Sequence, residues 1–187
     1  MLNEMTASRR ATLSAVAVAV LGGLSARAAA QAMGPAASQA DADILNVALA
    51  LEHEAIAAYQ LGATSGLLAK PVLDVAVAFQ SHHKAHRDAL AAAIRKLGGR
   101  PVAEKSLADY ASALGAAGLK SQADVLGLAA RLELGAANAY LGVIPAFADR
   151  DLAQVAGRLA ADETLHWTAL TSALGRPLPT QALSFGG

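Results

Sequence analysis

The chain has 187 residues, enough for one domain once a targeting segment is set aside. It is 55% hydrophobic, largely through Ala, with 4% aromatics, a net charge of +0 and no Cys. The balanced charge and the lack of a basic stripe argue against nucleic-acid binding, and the missing Cys excludes disulfides, thiolate metal ligands and a Cys nucleophile.

Residues 1–32 read as an export signal. Ser8-Arg9-Arg10-Ala11-Thr12-Leu13 opens a mildly apolar run that extends to Leu24, and Ala30-Gln31-Ala32 offers a small-x-small cleavage site after Ala32. The Arg pair resembles a twin-arginine signal; an ordinary secretory signal or an uncleaved anchor is the alternative. The apolar run is shorter than the ~20 residues a membrane span needs. The expected location is therefore the periplasm, with no membrane association after cleavage. The twin-arginine route carries folded proteins, which suits a cofactor loaded before export.

Residues 33–40 form a small-residue linker. Asp41 or Asp43 can cap a first helix, which runs to about Leu61 and ends at the Gly62–Gly66 stretch. Ile44, Leu45, Ala48, Leu49, Ala55, Ile56 and Tyr59 share one stripe of it, and Glu52 lies within that stripe. Pro71 suits the start of a second helix, which stops at Gly98-Gly99-Arg100-Pro101. Its core stripe holds Phe79, His82, His83, His86, Leu90, Ala93, Ile94 and Leu97.

Residues 100–120 are broken by Pro101, Gly115 and Gly118 and read as a connection with a short helix near Leu107 to Leu114. Extended, it can span on the order of 70 Å at ~3.4 Å per residue, whereas a helix of about 25 residues is only ~37 Å long. It can therefore run the length of a bundle. Ser121 caps a third helix, which ends near Pro145 and carries Leu126, Ala129, Ala130, Glu133, Ala136, Ala137 and Tyr140 on one stripe. A fourth helix starts near Asp149 or Asp151 and ends at Leu174-Gly175-Arg176-Pro177. The domain is thus expected over residues 41–178, with a loose tail at 179–187. The last helix contains Asp162-Glu163-x-x-His166, with Val155, Leu159, Leu170 and Leu174 on the same face as the Glu and His. A carboxylate buried in a core stripe is costly without a partner.

The two helix pairs repeat. Leu51-Glu52 with Tyr59 matches Leu132-Glu133 with Tyr140, the Tyr following the Glu by seven residues in both. His86-x-x-Ala89-Leu90 matches His166-x-x-Ala169-Leu170, and both pairs close on Gly-Arg-Pro. The offset is 81 residues for the Glu and 80 for the His. Under this alignment His83 stands where the second half has Glu163.

Each half then supplies a Glu from one helix and an x-x-His pair from the next. Packed antiparallel, the helices aim Glu52, His83, His86, Glu133, Glu163 and His166 at one point, close to the layout of carboxylate-bridged di-metal sites. Carboxylates neutralise and bridge divalent ions, and neutral imidazoles suit Fe, Mn or Zn. Two metals ~3.5–4 Å apart can share O₂ or peroxide chemistry. Taken alone, Glu163 and His166 could form a buried ion pair; the repeat and the other four residues favour a metal. Asp162 reads as an outer partner orienting a ligand His, or as solvated. Tyr59 and Tyr140 read as core aromatics with bonded hydroxyls, or as hydrogen-bond or electron donors beside the metals. His82 is placed at the edge of the site or in solvent, with an i, i+4 pairing to His86 as the alternative. His53 reads as a surface or interhelix residue and Trp167 as packing, while Glu54 points about 200° away from Glu52.

These residues resemble the ferritin-like superfamily, and more narrowly its exported bacterial branch with a long connection between the second and third helices. The matching text is Asp43–Leu49 with Glu52, His86 through Pro101, Glu133 with Ala139-Tyr140-Leu141-Gly142, and Asp162-Glu163 with His166. The resemblance covers roughly residues 41–178. It implies an all-α, ferritin-like four-helix bundle and a centre of two iron or two manganese ions. If the protein is an enzyme, it implies an oxidoreductase of the di-metal carboxylate type that meets a small-molecule oxidant. A non-catalytic metal-binding or stress-protective bundle with a degenerate site is the alternative. The family pattern has Glu where this chain has His83, so two divalent ions would face only three carboxylates. An asymmetric pair of ions, one ion on Glu133, Glu163 and His166, or an added small anion each answer that deficit. No feature of the sequence points to a closed storage shell, and the oligomeric state is left open.

Overall fold

The structure, a computed structural model, describes residues 34–186. The export signal expected at 1–32 and its cleavage site lie outside them. Five α-helices are present among the described residues: α1 Pro35–Thr64, α2 Lys70–Lys96, α3 Leu107–Ala113, α4 Gln122–Val143 and α5 Arg150–Ala173. No strand occurs among the described residues. No described helix is long and apolar enough to cross a membrane.

The helices α1, α2, α4 and α5 form the bundle. The pairs α1–α2 and α4–α5 pack most closely, and α1 against α4 joins them. α1 begins earlier than the sequence reading places it. Pro35 occupies its first turn, where a fixed φ and a missing N–H cost nothing, and Ala36 to Ala40 offer no breaker. Residues 35–40 are therefore helix, not linker. Asp41 does not cap α1 either. It is fully buried, and its carboxylate accepts from the backbone N–H groups of Ala148 (2.9 Å) and Asp149 (3.0 Å). It thereby fixes the turn into α5, whose own cap is Asp149 accepting from the Asp151 N–H.

The repeated Gly-Arg-Pro texts are helix caps. Gly98 (φ +85°) and Gly175 (φ +66°) take the left-handed conformation that returns the chain at a helix end. The next N–H in each, Gly99 and Arg176, bonds back to the carbonyls of Ile94 (2.9 Å) and Thr171 (3.1 Å). The structural repeat thus aligns Gly98, not Gly99, with Gly175.

The connection between α2 and α4 runs beside α1, and α3 packs on that helix. Asn46 pins it, donating to the Arg100 carbonyl (3.0 Å) and accepting from the Val102 N–H (2.7 Å). His53 is buried beneath it, with Nε2 3.3 Å from the Val102 carbonyl. At the other end of the chain, the non-helical tail folds back. Phe185 meets Trp167 edge-on, and the Gly186 N–H donates to Asn138 (2.8 Å).

Two apolar cores fill the bundle. One contains Leu45, Leu49, Leu90, Ile94, Leu152 and Leu159. The other contains Tyr59, Phe79, Leu126, Ala129, Ala130 and Leu170. Helical spacing puts one polar layer between them, and that layer holds the site.

Candidate metal centre

Glu52 on α1, His83 and His86 on α2, Glu133 on α4, and Glu163 and His166 on α5 converge in this layer. Five of the six are 0–1% exposed, and His86 is 8% exposed. No Lys or Arg is buried among the described residues, so the three carboxylates have no fixed cation to face. Their charged or chargeable company is imidazole, and two tyrosine hydroxyls donate to them as well.

The six side chains form two groups that share His83 and Glu163. Glu52, His83, His86 and Glu163 make one; His83, Glu133, Glu163 and His166 make the other, with ligand atoms within 4.8 Å of one another in each. The shared carboxylate is split between them. Its Oε1 lies 3.2 Å from His86 Nδ1, and its Oε2 lies 3.1 Å from His166 Nδ1. The terminal carboxylates complete the groups, with Glu52 Oε1 3.6 Å from His86 Nδ1 and Glu133 Oε2 3.4 Å from His166 Nδ1. Two ligands ~2.1 Å from one ion and at right angles to each other stand about 3 Å apart. The observed spacings suit shared ions. A second observation agrees: His86 Nδ1 and Glu163 Oε1 are buried and make no hydrogen bond. With the His86 proton on Nε2, both atoms offer lone pairs to a cation, and a native core rarely leaves such atoms unpaired.

The outer partners cross from one half to the other. His86 Nε2 lies 3.2 Å from Asp162 Oδ2 on α5, and His166 Nε2 lies 2.9 Å from His82 Nδ1 on α2. A proton on each Nε2, donated outward, leaves both Nδ1 lone pairs facing the centre. The tyrosines cross likewise. Tyr59 donates to Glu133 Oε1, and Tyr140 donates to Glu52 Oε1. Burial, and then the neighbouring Glu charge, push both phenols well above their ordinary range, so they remain O–H donors.

His83 spans the layer. Its Nδ1 is 2.8 Å from Glu52 Oε2 and its Nε2 is 3.1 Å from Glu133 Oε1. Without metal it is held as a cation: burial pushes it down, but bonds to Glu133 and Glu52 carry it up to about 10. Burial also opposes the charge on His86, and Asp162, Glu163 and Glu52 override it, up to about 12. Burial raises Glu52, yet His83 and His86 hold it at about 2. Glu163 differs: burial keeps it above the usual carboxylate value despite His166 and His86. His166 rises through Glu133 and Glu163 against its burial. His82 is lowered, by burial and then by His166, which suits a neutral acceptor.

All six predicted ligands therefore meet, and Tyr59, Tyr140 and Asp162 touch them. Glu54 belongs to neither group. His82 sits at the edge, as expected, but its bond to His166 gives it a role that the sequence reading did not assign. The repeat carried the signal, since His82 occupies the position of Asp162. Phe79, stacked on His166 with ring centroids 4.1 Å apart, was also not singled out as part of the site.

A family model described as a ferritin-like domain matches residues 40–176. No curated protein matches the chain. Among solved structures, the crystal structure of a conserved hypothetical protein from Mycobacterium tuberculosis is similar at a TM-score of 0.63. The two share 24% identity over 79% of this chain and 99% of that one, a likeness of fold alone.

Proposed function

The chain belongs to the ferritin-like domain family, and on that premise we propose that it is an exported protein binding two iron or manganese ions and handling O₂, peroxide or Fe(II). The split of Glu163 between His86 and His166 carries the reading: its two oxygens face different imidazoles 3.2 Å and 3.1 Å away. Glu52 and His86 would complete one ion's ligands, and Glu133 and His166 the other's. Such ions supply a one-electron couple and open positions for a small oxidant. The protein's own part is to hold the ligands. Asp162 and His82 orient the imidazoles, Tyr59 and Tyr140 steady the terminal carboxylates, and the apolar cores on both sides exclude water. Export rests on the Arg9-Arg10 segment and its following apolar run.

One observation favours a second reading. His83 reaches Glu52 and Glu133 with both ring nitrogens, as a doubly protonated imidazole does. That imidazolium could replace one ion: a single divalent ion plus the protonated ring of His83 balances three carboxylates. Metal-free protein titrated with Mn(II), and anaerobically with Fe(II), separates the readings. Two ions per chain support the pair. One ion, rising to two in His83→Glu, supports the single-ion form. Fewer than about 0.2 ion per chain with no shift in Tm overturns both. Fe(II) oxidation by O₂ or peroxide, followed in the loaded protein, then tests turnover.

A further inference from the structure

Beyond the polar layer, the bundle holds a cavity of about 300 Å³ among α1, α2, α4 and α5. Tyr59, Val72, Ala76, Leu126, Ala129 and Leu170 are among its walls. Small side chains leave it open, as at Ala58, Ala76 and Ala129. The cavity lies close to the centre on every helix of the bundle. Ala129 is four residues before Glu133, Leu170 four after His166, Ala76 seven before His83 and Tyr59 seven after Glu52. Those steps amount to about 6 Å and about 10 Å along a helix.

The lining determines what fits. Its one polar side chain is Tyr59, whose hydroxyl is already given to Glu133. Water would find no partner there, and apolar cavities of this kind stay dry or take hydrocarbons. A polar ligand would lose its hydration without compensation. The volume is at the small end of ligand pockets. Four helices surround it, so it is a slot for a molecule, not a flat face for a second chain. It also lies at the end of α1 away from Pro35.

We propose that this cavity binds a small apolar molecule, a hydrocarbon chain or ring of about ten carbons or fewer, with Tyr59 as the wall shared with the metal centre. Binding does not depend on the metal reading. Communication does, because an occupant pressing on the Tyr59 ring acts on the O–H that holds Glu133.

Naphthalene, ten carbons with no polar group, is the probe. Titrated into the full chain without metal, it should bind saturably at one per chain. Ala129→Phe and the milder Ala76→Leu, each folded by circular dichroism, should weaken it at least tenfold. In Co(II)-loaded protein, naphthalene should shift the visible cobalt bands, and Tyr59→Phe should bind naphthalene but lose the shift. Cobalt binding without naphthalene binding overturns the proposal and spares the metal centre. Naphthalene binding without cobalt binding does the reverse. Unchanged affinity in both filling variants also overturns it. So does a self-associated chain that naphthalene fails to dissociate and Ala129→Phe makes monomeric, since a second copy would then fill the slot.

Discussion

The two halves of the centre are built from one plan and differ at two positions, where His82 and His83 stand against Asp162 and Glu163. In the second, the α5 run Asp162-Glu163-x-x-His166 brings two carboxylates; in the first, the α2 run His82-His83-x-x-His86 brings none. The partners are traded across the bundle, so Asp162 serves His86 and His82 serves His166. The first half therefore borrows its anionic support from the second. That dependence is not symmetric. Both groups share Glu163 and His83, but Glu163 offers an oxygen to the imidazole of each, whereas His83 hydrogen-bonds only the outer carboxylates, Glu52 and Glu133. A repeat can thus keep its geometry while its electrostatics become one-sided.

The largest expected effect tests that dependence directly. Glu163→Ala should remove an oxygen from both groups and abolish binding of both ions. The loss should exceed the ~10–100-fold typical of an outer partner. Glu52→Ala and Glu133→Ala should each lose only one. Metal content per chain after equilibrium dialysis decides the matter. Full metal content in Glu163→Ala would break the comparison, because no shared bridge would then exist.

Next in size is the pH response of the metal-free protein, which sharpens the contrast between imidazole-rich and carboxylate-rich halves. His83 and His86 titrate at about 10 and about 12 in the fold against an ordinary 6.5. A raised folded pKa means their contribution is complete below pH 6.5 and is lost as pH climbs toward those values. Glu52 sits at about 2 against 4.5, so its contribution is present above 4.5 and lost as pH falls through 2. Glu163, raised by burial, works the other way, giving up stability as pH rises above its ordinary 4.5. Stability should therefore be greatest from about pH 4.5 to 6.5. Between pH 6 and 9, Tm should drop by about 5–10 °C, the equivalent of a few kcal/mol for a domain of this size. Calorimetry of His83→Gln should show a flatter alkaline limb. An unchanged limb would mean that the charge on His83 does not hold Glu52 and Glu133.

Much of this centre could be read before any coordinates, for a physical reason. A helix repeats every 3.6 residues, so a Glu or His falling on an apolar stripe must be buried, and two copies of the pattern identify each other. Glu52 and Glu133, each seven residues before a Tyr, are legible in this way. What could not be read is which half each partner serves. Spacing along one helix says nothing of the neighbour it faces. The pairing of Tyr59 with Glu133, not with Glu52 on its own helix, emerges only from packing. The start of α1 was missed for a related reason. Small residues before Asp41 resemble a linker, but Pro35 permits a helix, and Asp41 is needed elsewhere to hold the turn at Ala148 and Asp149. The cavity was invisible, since Ala on a stripe reads the same whether a neighbour fills the space or not.

The smallest effect expected is the most discriminating for the crossed partners. Asp162→Ala removes a carboxylate from His86 Nε2, and His82→Ala removes a neutral acceptor from His166 Nε2. Both leave every ligand in place. A carboxylate holds the donated proton more strongly and makes the ligand nitrogen a better donor. Asp162→Ala should therefore weaken metal binding toward the upper part of the ~10–100-fold range, and His82→Ala toward the lower part. The losses should fall on opposite ions: Asp162→Ala on the one held with Glu52, His82→Ala on the one held with Glu133. Stepwise titration with Co(II), read from its visible bands, resolves the two. If Asp162→Ala instead weakened the ion held by His166 of its own helix with Glu133, the exchange of partners between α2 and α5 would be wrong. Each half would then supply its own support.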